Sequence, residues 1–156
     1  MEQTAIMRPV RLLGAAAIAR GTARLCFRLG WAVLREVSLA NGRRADLLAL
    51  AEDGSFTAIE VKSCARDFLA DGKWHEYRAF SDQCFLAVDA DFPQELLPED
   101  VGLIVADAYG ATLLRPAPRH PMAPARRRAL TQRFARLAAR RTEAWLDPEG
   151  QISASL

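Results

Sequence analysis

The segment from Glu36 to Lys62, EVSLANGRRADLLALAEDGSFTAIEVK, decides the reading of the fold. It continues a strand that starts at Trp31, with Trp31, Val33, Val37 and Leu39 expected on one face and Ala32, Leu34, Glu36 and Ser38 on the other. Asn41-Gly42 ends that strand, Ala45 to Leu50 forms a second, Asp53-Gly54 a second turn, and Ser55 to Lys62 a third. The pattern is a three-stranded meander. Its register depends on the loops, because a slip of one residue turns a side chain to the opposite face. Three-residue loops, Ala40-Asn41-Gly42 and Glu52-Asp53-Gly54, each with glycine in the left-handed position, place Glu36 opposite Asp46 and Asp46 opposite Glu60. The same register aligns Leu34, Leu48 and Ala58, then Ala32, Leu50 and Phe56, so three acids sit at the end of an apolar stripe. Two-residue loops would scatter both sets.

Outward from this meander the chain reads as an α/β domain. Leu12, Ala16, Ala19, Ala23 and Cys26/Phe27 recur at helical spacing, giving a first helix that ends at Gly30. After the third strand, Asp67-Phe68-Leu69 leads to a short helix from about Lys73 to Ser81, and Cys84 to Val88 returns as a strand, which implies a parallel crossover. Val101 to Ala106 and Thr112 to Leu114 are further strands around a turn at Tyr109-Gly110. Pro116, Pro118, Pro121 and Pro124 make a stiff connector. A last helix, Ala125 to about Leu146, carries Leu130, Phe134, Leu137 and Trp145 as apolar anchors, and residues 147–156 read as a frayed tail. Residues 1–146 are expected to form one domain.

The formal charge of +2 conceals segregation. Ser81 to Thr112 contains no Lys or Arg but seven acids, whereas Arg115 to Arg141 carries nine arginines and no acid. Arg8, Arg11, Arg20, Arg24 and Arg28 interrupt the apolar N-terminal region and exclude a signal-peptide core or membrane span there. Cys26, Cys64 and Cys84 are odd in number and widely spaced, which fits reduced thiols and a cytoplasmic protein. Lys62 and Lys73 are the only lysines among 21 basic residues.

Two carboxylates about 4 Å apart repel by roughly 4 kcal/mol at an effective dielectric near 20, so acids gathered on one patch favour a bound cation or protonation. Hard oxygen donors suit Mg²⁺ or Mn²⁺. Asp46, Glu60 and the Val61 carbonyl are the expected ligands, with Glu36 as an additional one. Lys62 would position an attacking water or offset developing negative charge. The chemistry implied is metal-assisted phosphodiester hydrolysis, with Asp46, Glu60 and Lys62 as its catalytic set.

These residues resemble the PD-(D/E)xK nuclease-like superfamily, with its restriction-endonuclease-like core. Asp46 and Glu60-Val61-Lys62 match the signature, although Ala45 stands where proline is usual. Lys73-x-x-x-Tyr77 is similar to the Gln-x-x-x-Tyr of RecB-like members, with lysine replacing glutamine. Many relatives carry an extra acid on the first helix, which here has none. The longer string from Gly42 to Asp46 and Glu60 to Ser63, followed by Asp67-Phe68, Asp71, Lys73-Trp74, Tyr77 and Asp82, resembles the MmcB family of bacterial DNA repair proteins. That resemblance spans roughly residues 10–145 and implies a nuclease-like role on damaged or branched DNA. Within it a second reading is a DNA-binding repair scaffold that keeps the fold and does not cut.

Bland alternatives stand beside several of these residues. Asp46 and Glu60-x-Lys62 are otherwise an exposed sheet edge with a Glu–Lys pair, and Glu36 a surface acid paired with Arg35 or Arg43. Lys73 and Tyr77 share a helix face and either reach a phosphate or simply pack, while Asp67 and Asp71 either cap the helix or line a cleft. Arg126, Arg127 and Arg128, with Arg43 and Arg44, join Lys73 and Tyr77 as the expected DNA contacts. The competing reading of the last helix packs it against the acidic segment from Asp89 to Asp107.

Overall fold

The structure is a computed structural model that describes residues 14–70, 72 and 74–151. Six strands form one sheet in the order β1 (Ala32–Ser38), β2 (Arg44–Leu50), β3 (Phe56–Val61), β4 (Gln83–Val88), β5 (Gly102–Ala106) and β6 (Ala111–Arg115). The β1–β2, β2–β3 and β5–β6 pairs are antiparallel and β3–β4 and β4–β5 parallel, so the expected crossover is present. Helix α1 (Ala15–Arg28) covers one face, and a 3-10 helix (Trp74–Phe80) with α3 (Pro124–Leu146) covers the other. The short α2 (Ala65–Ala70) follows β3. Strand β3, between two covered faces, is buried throughout, its apolar residues interrupted by Thr57 and Glu60.

Both hairpin loops have the expected three residues. Gly42 N–H donates to the Leu39 carbonyl at 3.1 Å and Gly54 N–H to the Ala51 carbonyl at 3.0 Å, and both glycines have φ of 80°. Glycine has no Cβ to clash there, so each loop closes as a tight turn plus bulge. Leu34 accordingly pairs with Leu48 and Leu48 with Ala58, then Ala32 with Leu50 and Leu50 with Phe56.

Strict alternation along β1 and β2 fails at one place. Leu34 and Leu48 pack with the cluster under α3, but so do Val37 and Ala45, whereas Val33 and Leu47 pack with α1. The expected shared face for Val33 and Val37 is therefore corrected. Glu36 has φ of 50°, and a left-handed residue turns the chain by half a pleat, so both strands switch faces at the Glu36–Asp46 level. Pairing resumes on the same count at Val37–Ala45. Arg141 of α3 donates to the carbonyls of Arg35 and Glu36, holding the backbone at this switch.

Other expectations move by smaller amounts. The buried stripe of α1 is Ile18, Gly21, Thr22, Leu25 and Cys26, while Ala16 and Phe27 are exposed; Leu12 lies outside the described residues. The expected helix from Lys73 to Ser81 is a 3-10 helix over Trp74–Phe80, and Lys73 and Asp71 also lie outside the described residues. Pro124 opens α3, where its missing N–H costs nothing, instead of closing the connector. Trp145 is 79% exposed, because the final turn of α3 runs past the sheet. The tail forms a short 3-10 turn at Glu149–Gln151, with Gly150 N–H donating to Asp147. Helix α3 packs Phe134 edge-on against Phe56, with ring centroids 5.9 Å apart, and its arginines bond to the β2–β3 turn, the 3-10 helix and β1. The expected packing against the acidic segment gives way to packing over the meander. No helix among the described residues is long and apolar enough to cross a membrane.

Candidate functional site

The β2–β3 ladder stops at Leu47–Ile59. Beyond it, where Asp46 faces Glu60, side chains replace backbone partners. Asp46 Oδ2 accepts from the Val61 N–H at 2.8 Å, and Glu60 Oε1 accepts from the Asp46 N–H at 3.2 Å. The two carboxylates thus meet in the gap between parting strands, not across a flat face as alternation alone implies. Asp46 opens toward α1, where Ala15, Ala16, Ala19, Arg35, Glu36 and Val61 complete a cleft. Glu60 stays on the other side beside the Tyr77 hydroxyl, whose single proton is shared between Glu60 and the Arg44 carbonyl, 3.1 Å from the oxygen. The alanines of α1 stand where a further acid would close the cleft.

Burial governs the electrostatics here. It pushes the Glu60 carboxyl up to about 7, and the Asp46 charge adds to the rise, against the opposing effects of the Asp46 N–H, Lys62 and Tyr77. Burial raises Asp46 as well, with the Val61 N–H, Lys62 and Arg44 pulling it back and Glu36 pushing it up. Lys62 is 7% exposed and acts electrostatically on both carboxylates, while its backbone N–H donates to the Ala87 carbonyl. Glu36 is exposed and forms an ion pair with Arg44 at 3.6 Å, in place of the Arg35 or Arg43 partner considered from sequence.

The donor set can be judged for a divalent ion. Among the described residues no three of His, Cys, Asp and Glu gather as a metal cluster, so the expected three-acid patch reduces to Asp46 with Glu60, and Glu36 stands apart beside Arg44. Two carboxylates and a nearby carbonyl still suit Mg²⁺ or Mn²⁺, which keep several waters and need only one or two protein carboxylates. One oxygen of each carboxylate accepts a backbone N–H, and Glu60 also meets the Tyr77 hydroxyl. The raised Glu60 marks a charge deficit that a cation would relieve. On donor chemistry the residues fit.

The expected DNA contacts separate into two kinds. Arg43 pairs with Glu76, and Asn41 donates to the Glu76 carbonyl, which ties the β1–β2 turn to the 3-10 helix. Arg126 donates to the Ala79 carbonyl and lies 4.9 Å over the Phe80 ring. Arg127 grips Asp82 with two bonds, of 2.5 and 2.8 Å, and reaches the Gly54 carbonyl. Asp82 in turn accepts from the Phe56 N–H at 2.8 Å, so this knot fastens α3 to the start of β3. Arg44 and Arg128 remain exposed, as do Arg133, Arg136 and Arg140 on the outer side of α3. Asp67 is exposed and accepts from Ser63 at 3.2 Å, in the first turn of α2.

Sequence reasoning missed the Asp82–Arg127 knot and the Arg141 clamp on Glu36. Asp82 already stands in the string that carries the family resemblance, so its importance was visible but not its partner. Arg141 is separated from Glu36 by 105 residues, and nothing local announces the contact.

A solved structure of a protein of unknown function from Silicibacter pomeroyi is similar to this chain, with a TM-score of 0.85 and 45% identity over 90% of this chain and 97% of that one. No curated protein matches. The MmcB-like model, described as DNA repair protein MmcB-like, matches residues 9–149, nearly the entire length. With the meander, the crossover and the Asp46–Glu60–Lys62 arrangement in place, that match settles the relationship: the chain belongs to the MmcB-like family of DNA repair proteins.

Proposed function

We propose that the chain is a metal-dependent, nuclease-like repair protein of PD-(D/E)xK type that hydrolyses phosphodiester bonds in damaged or branched DNA. The observation that carries this reading is the reciprocal contact at the end of the β2–β3 ladder. There Asp46 binds the Val61 N–H, Glu60 binds the Asp46 N–H, and Lys62 acts on both. Asp46, Glu60 and the Val61 carbonyl would hold Mg²⁺ or Mn²⁺, with Glu36 as an outer ligand. The ion, when bound, polarises the scissile phosphate and acidifies the attacking water. Tyr77 fixes Glu60 against the backbone of β2. Lys62 holds positive charge beside the two acids, where it orients the water and offsets charge developing on the phosphate. Arg44 and Arg128 supply phosphate contacts near and away from the cleft.

One observation favours the scaffold reading: each carboxylate already accepts a backbone N–H, so the site closes on itself without a cation. A panel of flap, gapped, branched and crosslinked duplexes with Mg²⁺ or Mn²⁺ separates the two. The nuclease reading expects Asp46→Ala and Lys62→Ala to retain DNA affinity and lose cleavage by at least about 100-fold. A wild-type protein that binds these substrates and cuts none of them makes it a scaffold.

A further inference from the structure

We propose that Asp89 is the positioning residue for Lys62, an ionic partner that anchors its ammonium beside Asp46 and Glu60. The inference rests on the nuclease reading above and names the group that readies its lysine. Four charged side chains are buried among the described residues: Glu60, Lys62, Asp82 and Asp89. Asp82 has Arg127, and Glu60 has the Asp46 N–H and the Tyr77 hydroxyl. That leaves Lys62, 7% exposed, and Asp89, 2% exposed, and neither is without a partner. A buried ammonium and a buried carboxylate each need an opposite charge to offset lost hydration. Lys62 is the one cation in this set and Asp89 the one acid not yet matched. Arg28, which shares a pocket with Asp89, is exposed and donates instead to the Ala111 carbonyl.

The sheet brings the two together. Strands β3 and β4 run parallel with Val61 level with Ala87, and the Lys62 N–H donates to the Ala87 carbonyl at 2.9 Å. Lys62 therefore stands level with Val88, and Asp89 follows at about 6 Å between Cα atoms, from a strand spacing of about 4.8 Å and a rise of about 3.3 Å. A flexible lysine stem spans such a gap. Both residues lie just past the ends of their strands, at Val61 and Val88, where pleating no longer assigns a side chain to one face. Asp89 is itself held in a turn: its Oδ1 accepts the Asp91 N–H at 3.1 Å and its carbonyl the Phe92 N–H at 3.3 Å. A fixed carboxylate fixes the ammonium. Lys62 then keeps its charge near Asp46 and Glu60 without pairing with either, which accords with a Glu60 that stays raised despite Lys62.

The test needs neither metal nor cleavage. Lys62 and Lys73 are the only lysines, so the full chain labelled with ¹⁵N-lysine carries two side-chain ammonium groups, and Lys62→Met assigns their signals. Burial and pairing slow proton exchange, so the Lys62 ammonium should be visible at neutral pH. Asp89→Asn keeps an oxygen for the Asp91 N–H and removes only the charge, and the Lys62 signal should vanish or exchange at least about tenfold faster. The same change should lower the urea midpoint by about 1 M in the wild-type background and not at all in Lys62→Met, where Asp89 has no cation to lose. Should Asp89→Asn fail to fold, adding Lys62→Met should restore folding. An unchanged Lys62 signal, or an equal loss of midpoint in both backgrounds, makes Asp89 a turn cap and overturns the pairing. In cleavage assays Asp89→Asn should lower kcat about tenfold with KM within about twofold. A wild type that cuts nothing while Asp89 and Lys62 stay coupled counts against the nuclease reading alone, whereas cleavage with no coupling counts against the pairing alone.

Discussion

Glu60 and Asp82 are each 6% exposed, with Glu60 the deeper of the two among protein atoms, yet their carboxyls shift in opposite directions. Burial alone would raise both. At Asp82 it is outweighed by the Arg127 guanidinium and the Phe56 N–H, which hold the carboxyl below its ordinary range. At Glu60 burial wins, with the Asp46 charge behind it, and the carboxyl rises to about 7. The first acid is completed by its own fold; the second stays raised although Lys62 and Tyr77 pull it down. This difference separates a carboxylate that fastens a helix from one that can take a ligand.

The largest effect should come from breaking the completed pair. Arg127→Ala leaves Asp82 buried without its cation, and urea unfolding at pH 7 should show a loss of about 3 kcal/mol, at the low end for a severed buried pair because Arg127 is partly exposed. Because Asp82 is held below its unfolded value, the contribution of this pair is present above pH 4 and is lost as pH falls through the folded value. A stability unchanged by Arg127→Ala would mean that the knot is incidental.

Glu60 should behave in the reverse sense. Its folded value of about 7 lies above the ordinary 4.5, so the folded state keeps a proton that the unfolded state has released. In the metal-free protein this group therefore removes stability as pH rises from 4.5 to 7, by on the order of 3 kcal/mol in total, and no more above that. Glu60→Gln should flatten that slope and raise metal-free stability at pH 8 by about 2 kcal/mol, measured by urea titrations across pH. Mg²⁺ should raise the wild-type melting temperature more at pH 8 than at pH 6, where a proton competes for the site. A slope that persists in Glu60→Gln assigns it to another group.

The sequence reveals the meander and its register because both depend on local rules: glycine at the third loop position and apolar residues aligned across three strands. It also reveals Asp46, Glu60 and Lys62, since an ionised group inside an apolar strand is visible without coordinates. What it does not show are properties of long-range contact. The inner and outer arginines of α3 are one run in the sequence, and only the position of Asp82, Ala79 and Glu36 beneath the helix divides them. Trp145 keeps the spacing of an anchor, but the surface it would anchor to has ended by that turn.

The face switch at Glu36 is the smallest and most specific case, because a left-handed non-glycine residue costs about 1–2 kcal/mol and nothing in its own sequence context demands it. The Arg141 clamp and the Asp46 cleft on its two sides suggest that the strain is kept to aim the Glu36 carboxylate. Two substitutions separate aim from charge. Glu36→Gly adopts the same φ without penalty, and its exposed ion pair with Arg44 is worth little, so it should stabilise the metal-free protein by about 1 kcal/mol. Glu36→Gln keeps the strained backbone and removes only the charge, so its stability should stay within about 0.5 kcal/mol of wild type. If Glu36 is an outer ligand, both variants bind Mg²⁺ a few-fold more weakly in calorimetry. If Glu36 only shapes the strand, Mg²⁺ affinity is unchanged in Glu36→Gln, and the left-handed turn serves the course of β1 instead of the metal.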